Sequence, residues 1–404
     1  MAPSIRLSAP FIFENESGAV WLRRTYIERW ALHHIPCRAF FRHSTEAVVM
    51  GGGRLLWLDH ARAFAIISIV FCHVVECIYP WISPSYSGQF ERTIYFTIGR
   101  LGVPIFLMLS GYLLLSRHQV TNLQEYMAFL KKKWVPLLIC YEAWIVIYNL
   151  FLFIYRNQFD TTSFVQQLTF QRFPDFSHWW YMPMIVGMYL FIPMLSVMKQ
   201  YLGKRFIEWV FFISVLVHVL FPITSRKILL DLSYFGSCYL TYILFGYVCF
   251  LNIDKIKGYL INPWSRLYKV DFPGRVRAVV LCLLTLVLYG VCVYVQIRTY
   301  GKNSPYFIWY DNPYLILCSF GLFLCFLFLN NASSKLAIGL SMASFPIYLI
   351  HNIVILVIGG SFKQFEISDS LKSSVLFLVT LFICFMLYKI LSVNNKVSRV
   401  LFLR

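Results

Sequence analysis

What most constrains this chain is a series of apolar runs, each close to the length a helix needs to cross a bilayer. Such a helix takes about 20 mostly apolar residues, because in hydrocarbon every backbone N–H and C=O must be bonded inside the segment. Runs of this kind lie near Ala61–Tyr79, Ile94–Leu115, Trp134–Ile154, Trp180–Met198, Phe206–Ile223, Leu232–Leu251, Val279–Val295, Pro313–Leu329, Met342–Ile358 and Leu371–Leu391. They predict an all-α integral membrane protein, a bundle of about ten transmembrane helices. Only 13% of residues are charged and 59% are hydrophobic, against about 25% charged in a soluble domain. No internal repeat is visible, which argues against an inverted-repeat transporter.

The net charge of +18 raises nucleic acid as a partner, but the basic residues are dispersed between apolar runs. Lipid headgroups explain them better, so the bilayer is expected as a partner and nucleic acid is not. Placing the N-terminus in the cytoplasm gives cytoplasmic loops and tail about twice the Lys and Arg of the outer loops. Both termini are therefore expected inside. Residues 1–53 read as a polar, basic extension, either cytoplasmic or upstream of the true start, since Met50 stands just before the first run. Residues 54–393 form the transmembrane domain, and 394–404 a short cytoplasmic tail. The eleven cysteines show no CxxC pair and lie mostly within apolar runs, so they read as small buried residues. No metal site is implied.

His73 lies inside the first run, where an ionisable side chain costs several kcal/mol and marks a functional site by default. Arg62 precedes it by eleven residues. That spacing is three helical turns plus roughly 20°, and a rise of roughly 16 Å. The two share one helix face, Arg62 near a membrane surface and His73 near the bilayer middle. Glu76 is one turn beyond His73 on the same side, placed either to orient the imidazole or simply to surface at the outer interface. Glu142, inside the third run, needs a cation partner, with Arg62 one candidate.

Five short segments recur in order: Trp57-Leu-Asp59-His60-Ala-Arg62 leading to His73; Gly102-Val-Pro104 leading to Ser110-Gly111-Tyr112; Lys131-Lys132-Lys133-Trp-Val-Pro136; His178-Trp179-Trp180-Tyr181; and Phe345-Pro346-Ile-Tyr348-Leu-Ile-His351. Together they resemble the membrane acyltransferase-3 family across nearly all of residues 55–391. Within it the chain is similar to short inner-membrane O-acetyltransferases of surface-polysaccharide synthesis, such as the one acting on enterobacterial common antigen. It departs from many relatives at Ala63-Phe64 and at Pro346.

The resemblance implies transfer of an acetyl group from cytoplasmic acetyl-CoA to a sugar hydroxyl of a surface polysaccharide or its lipid-linked precursor, in a bacterial inner membrane. It puts the family's Arg and His pair on Arg62 and His73. His73 is then a general base toward the hydroxyl or a relay of the acyl group. A guanidinium at Arg62 suits coenzyme A phosphates, and Lys131, Lys132 and Lys133 suit the same anion or simply follow the positive-inside rule. No cofactor is expected beyond the acyl donor. Supporting residues are Glu76, Glu142, Ser110, Tyr112, His178 and His351. Ser110-Gly111-Tyr112 reads equally as tight helix packing. The His178 segment reads as an interfacial aromatic belt or as a stacking platform for a sugar ring. His351 reads as a packed histidine or a catalytic one. A transporter or flippase of a lipid-linked sugar is the alternative from another class.

Overall fold

The computed structural model describes residues 55–79, 86–117, 120–157, 159–174, 176–224, 237–256, 274–300, 308–329 and 333–403. The expectations for residues 1–53 lie outside them. Every regular element among the described residues is helical. In chain order these are α1 (Leu56–Ile78), α2 (Tyr86–Arg100), α3 (Gly102–Arg117), α4 (Leu123–Phe129), α5 (Val135–Arg156), α6 (Thr161–Leu168), α7 (Tyr181–Val215), α8 (Ser237–Leu251), α9 (Gly274–Tyr300), α10 (Pro313–Leu329), α11 (Lys335–Lys363), α12 (Asp369–Leu391) and α13 (Asn395–Phe402). A π-helical turn, Leu130–Trp134, joins α4 to α5.

Among the described residues, seven helical stretches are long and apolar enough to cross a membrane: Leu56–Ile78, Gly88–Leu115, Leu123–Arg156, Tyr181–Ile223, Val276–Arg298, Lys335–Lys363 and Asp369–Leu391. Ser237–Leu251 and Pro313–Phe328 are apolar but shorter. The chain is therefore an all-α, multi-pass membrane protein. Tyr181–Ile223 runs 43 residues, about twice what one crossing needs. Its backbone breaks at Gly203, where φ is 79° and ψ 173°, a region open essentially to glycine alone. The break falls between two of the apolar runs read from the sequence.

Side chains define several helix starts. Asn122, Asp160, Ser334, Ser368 and Asn394 each accept from a backbone N–H of the first turn, which satisfies donors the helix itself cannot. Pro136 follows the π-helical turn inside the continuous stretch Leu123–Arg156, where the hydrogen-bond ladder is already irregular.

α1 is the central helix, packed against α11, α2, α3 and α12. Ala61, Ala65, Ile66, Val70, Val74 and Val75 are fully buried along it. α3 and α8 meet at backbone distance: a Cβ on Gly111 would strike the carbonyl oxygen of Ile243, and one on Gly246 that of Met108. The Ser-Gly-Tyr segment is thus a close helix crossing of the small-residue kind. The tail folds into α13 and docks on α5, with Phe402 buried and the Leu401 carbonyl accepting from Trp144 Nε1 at 2.9 Å.

Candidate active site

α1 runs unbroken through Arg62 and His73, so the shared face read from their spacing is real. His73 stands five residues before the helix ends at Ile78, roughly 8 Å along the axis.

His73 is buried, and its Nδ1 lies 2.6 Å from Glu76 Oε2. A carboxylate only accepts, so Nδ1 carries a proton. Nε2 forms no hydrogen bond to a described residue. Ser177 Oγ donates to the same carboxylate oxygen at 3.3 Å and lies 3.1 Å from Nδ1. The other oxygen, Oε1, accepts from Arg100 Nη2 at 3.4 Å. Arg100, 5% exposed, also donates through Nη1 to the Tyr310 hydroxyl at 3.0 Å. Burial pushes the Tyr310 hydroxyl up to about 12, although Arg100 acts against it. Glu76 therefore orients the imidazole and is anchored from behind by a cation; it does not simply surface.

Two more histidines converge here from distant elements. The ring centres of His73 and His351 are 5.2 Å apart, His73 and His178 6.0 Å, and His178 and His351 4.9 Å. His178 precedes α7 and is 2% exposed, so it is no belt residue. The Tyr148 hydroxyl donates to the Leu349 carbonyl and so accepts from His178 Nε2–H at 3.2 Å. Asn352 Nδ2 donates to His178 Nδ1. The His178 carbonyl accepts from the Tyr348 hydroxyl at 2.8 Å. With both nitrogens engaged, His178 braces the loop against α5 and α11. Burial, with His351 and His73 beside it, pulls its pKa well below 6.5, so it stays neutral.

His351 is different. Its Nδ1–H donates to the Tyr348 carbonyl at 2.7 Å and the Ile347 carbonyl at 3.1 Å. Its Nε2 is sealed from solvent with no partner. A buried nitrogen without a partner is uncommon in folded proteins. Pro346 stands inside α11 without ending it, so His351 remains helical and faces the cluster. Among the described residues no group of His, Cys, Asp and Glu is arranged to hold a metal ion.

The remaining candidates lie elsewhere. Arg62 is half-buried and within electrostatic range of Tyr189 on α7. Phe129 packs on the same Tyr189 ring at 6.4 Å, which brings the turn holding Lys133 to the Arg62 side of the bundle. Lys133 is buried, whereas Lys131 and Lys132 are exposed. Ser110 bonds back to the Phe106 carbonyl at 2.9 Å, and Tyr112 packs on Trp57 at 5.1 Å, Phe250 and Phe323. Neither reaches the histidines. Glu142 is half-buried on α5 and pairs with no described residue, so the expected partnership with Arg62 is not formed.

Sequence reasoning missed Arg100, Ser177, Tyr310, Tyr148 and Asn352. Arg100 had a signal, being a cation inside the apolar stretch Gly88–Leu115, the same rule that singled out His73.

No curated protein and no solved structure matches the chain. A family model described as an acyltransferase domain matches residues 55–389, most of the chain and all of the site above, and the chain belongs to that acyltransferase-3 family.

Proposed function

We propose that this membrane acyltransferase moves an acetyl group from acetyl-CoA to a sugar hydroxyl of a surface polysaccharide or its lipid-linked precursor in a bacterial inner membrane. The observation that carries this reading is the buried imidazole of His73, held at Nδ1 by Glu76, with no described residue bonded to its Nε2. Nε2 takes the proton of the acceptor hydroxyl, whose oxygen attacks the thioester carbonyl carbon. The C–S bond breaks, and the imidazolium returns the proton to the departing thiolate. The products are the sugar ester and free coenzyme A. Glu76, anchored by Arg100 and Ser177, stabilises the transient imidazolium. His351 Nε2 supplies a second acceptor in the same space and helps hold the hydroxyl.

Arg62 and Lys133 form the basic end of the path, roughly 16 Å below His73 along α1, and hold the donor's phosphates with Lys131 and Lys132 at the rim. With the long stretch divided at Gly203 and the two shorter apolar helices included, the bundle has about ten spans. Both termini are then cytoplasmic.

Sealed inverted vesicles supplied with labelled acetyl-CoA test this. Label should enter base-labile ester on glycan in wild-type vesicles and not in His73→Ala vesicles holding the same amount of protein. Equal labelling in both, or none in wild type, would sink the proposal.

A further inference from the structure

Arg100 does more than anchor Glu76. Its guanidinium carbon lies 4.4 Å from the ring centre of Phe96, 4.8 Å from Trp309 and 5.2 Å from Tyr310. Trp180, three residues after Ser177, stands 5.2 Å from Tyr310, 5.5 Å from Tyr239 and 5.9 Å from Trp309. Tyr239 and Tyr310 are 6.1 Å apart. Four rings from three separate segments therefore form one continuous wall. Its back is closed, with Phe96, Arg100 and Tyr310 buried. Its front is open: Trp309 is 41% exposed, Trp180 and Tyr239 are half-buried, and the Ser177 hydroxyl is exposed.

An interfacial belt does not account for this wall. Belt residues stand singly at headgroup level, whereas these rings rest on each other and on a buried cation. A lipid chain does not account for it either, since the wall carries two polar handles, the indole N–H of Trp309 and the hydroxyl of Tyr239. A pyranose ring fits both features. One face of the ring presents polarised C–H groups, which the negative face of an aromatic ring attracts. Its rim presents hydroxyls for the polar handles. The wall also reaches the chemistry through one side chain: Glu76 holds Arg100 by one oxygen and His73 by the other.

We infer that Trp309, Tyr239 and Trp180 form the acceptor subsite, binding a pyranose ring so that one of its hydroxyls faces His73. This rests on the sugar-acylating function proposed above and names the residues that select its acceptor.

The test uses purified full-length protein and host surface polysaccharide stripped of its esters by mild base. Binding is read first, without acetyl-CoA, by intrinsic tryptophan fluorescence. Wild type should bind saturably. Trp309→Ala and Tyr239→Ala should each weaken binding about tenfold, and Trp309→Phe and Tyr239→Phe, which keep a ring and lose the polar handle, by a smaller factor between wild type and the alanine variants, which guards against misfolding. Protection of each variant by acetyl-CoA against thermal unfolding should match wild type. Binding unchanged in both alanine variants, or absent in wild type, overturns the subsite. Transfer is then assayed separately. An acceptor KM that rises in the alanine variants with little change in kcat supports it. If the polysaccharide binds as described but no acetyl is transferred, the function falls and the sugar subsite stands.

Discussion

Replacing Glu76 by Gln separates what holds the catalytic imidazole from what holds the bundle. Gln keeps an oxygen that can accept from His73 Nδ1 but loses the charge that meets it at 2.6 Å. A hydrogen bond to a charged group is worth about 1.5–3 kcal/mol. The neutral bond that Gln can still make is worth about 0.5–1.5 kcal/mol, so the net loss is about 1–1.5 kcal/mol, and at tenfold per 1.36 kcal/mol acetyl transfer should fall about 5- to 13-fold. The same change leaves Arg100, 5% exposed, without its carboxylate. Removing one partner of a buried pair costs about 3–5 kcal/mol. Here the 3.4 Å contact, the 17% exposure of Glu76 and the surviving bond to Tyr310 reduce the loss, to about 2 kcal/mol on the same scale. Arg100→Gln in the same chain removes the stranded cation and can still donate to Tyr310. The double variant should melt close to wild type yet transfer as slowly as Glu76→Gln alone. The assay is the initial rate of labelled acetyl incorporation into de-esterified host polysaccharide, with melting followed on the same detergent-purified samples. The reasoning fails if folded Glu76→Gln keeps more than a third of the wild-type rate, or if Arg100→Gln restores rate together with stability.

Further outcomes follow from individual contacts. Gly111→Ala must push α3 off α8, because its Cβ meets the Ile243 carbonyl. It should cost at least about 1–3 kcal/mol and lower the protein level in membranes, whereas Gly290→Ala, which meets nothing, should not. His178 resists protonation in the folded chain but takes up a proton near pH 6.5 when unfolded. Its contribution to stability is thus complete above pH 6.5 and lost as pH falls toward its lower folded value, by up to about 1.4 kcal/mol per pH unit. Melting temperature measured between pH 7.5 and 5 should show a slope that His178→Gln reduces; an identical slope in the variant would contradict the assignment. His351→Gln should keep the bundle folded but lower kcat by about tenfold or more, read in the transfer assay beside its thermal melt.

The central feature of the fold was legible because hydrocarbon imposes it. Apolar runs near bilayer length had to become helices, and Arg62 and His73, eleven residues apart, had to share a face. Glu76 was legible for the same local reason, being three residues from His73. The rest of the site depends on contacts that no local period encodes. Ser177 reaches His73 across 104 residues and Arg100 reaches Tyr310 across 210. His178 carried a weak hint, as a histidine among aromatics, but its burial depends on Tyr148 and Asn352 from two other helices. His351 left two readings open, and its environment shows both to be partly right. One nitrogen is packed against its own helix and the other is bare. Glu142 pairs with no described residue, because residence in an apolar run does not say which side chains of other helices come within reach. The polar break at Gly203 lay between two apolar runs, where sequence showed two segments but not that the chain would continue helically on both sides of one glycine.

The most direct test of the account is acetyl transfer by purified protein in proteoliposomes, with labelled acetyl-CoA and de-esterified host polysaccharide, comparing wild type with His73→Ala. Label in alkali-labile ester with wild type, and a loss of at least about a hundredfold in a His73→Ala protein that melts normally, is the expected result. Transfer by His73→Ala at the wild-type rate would show that the imidazole held by Glu76 is not the base, and would contradict the account at its centre.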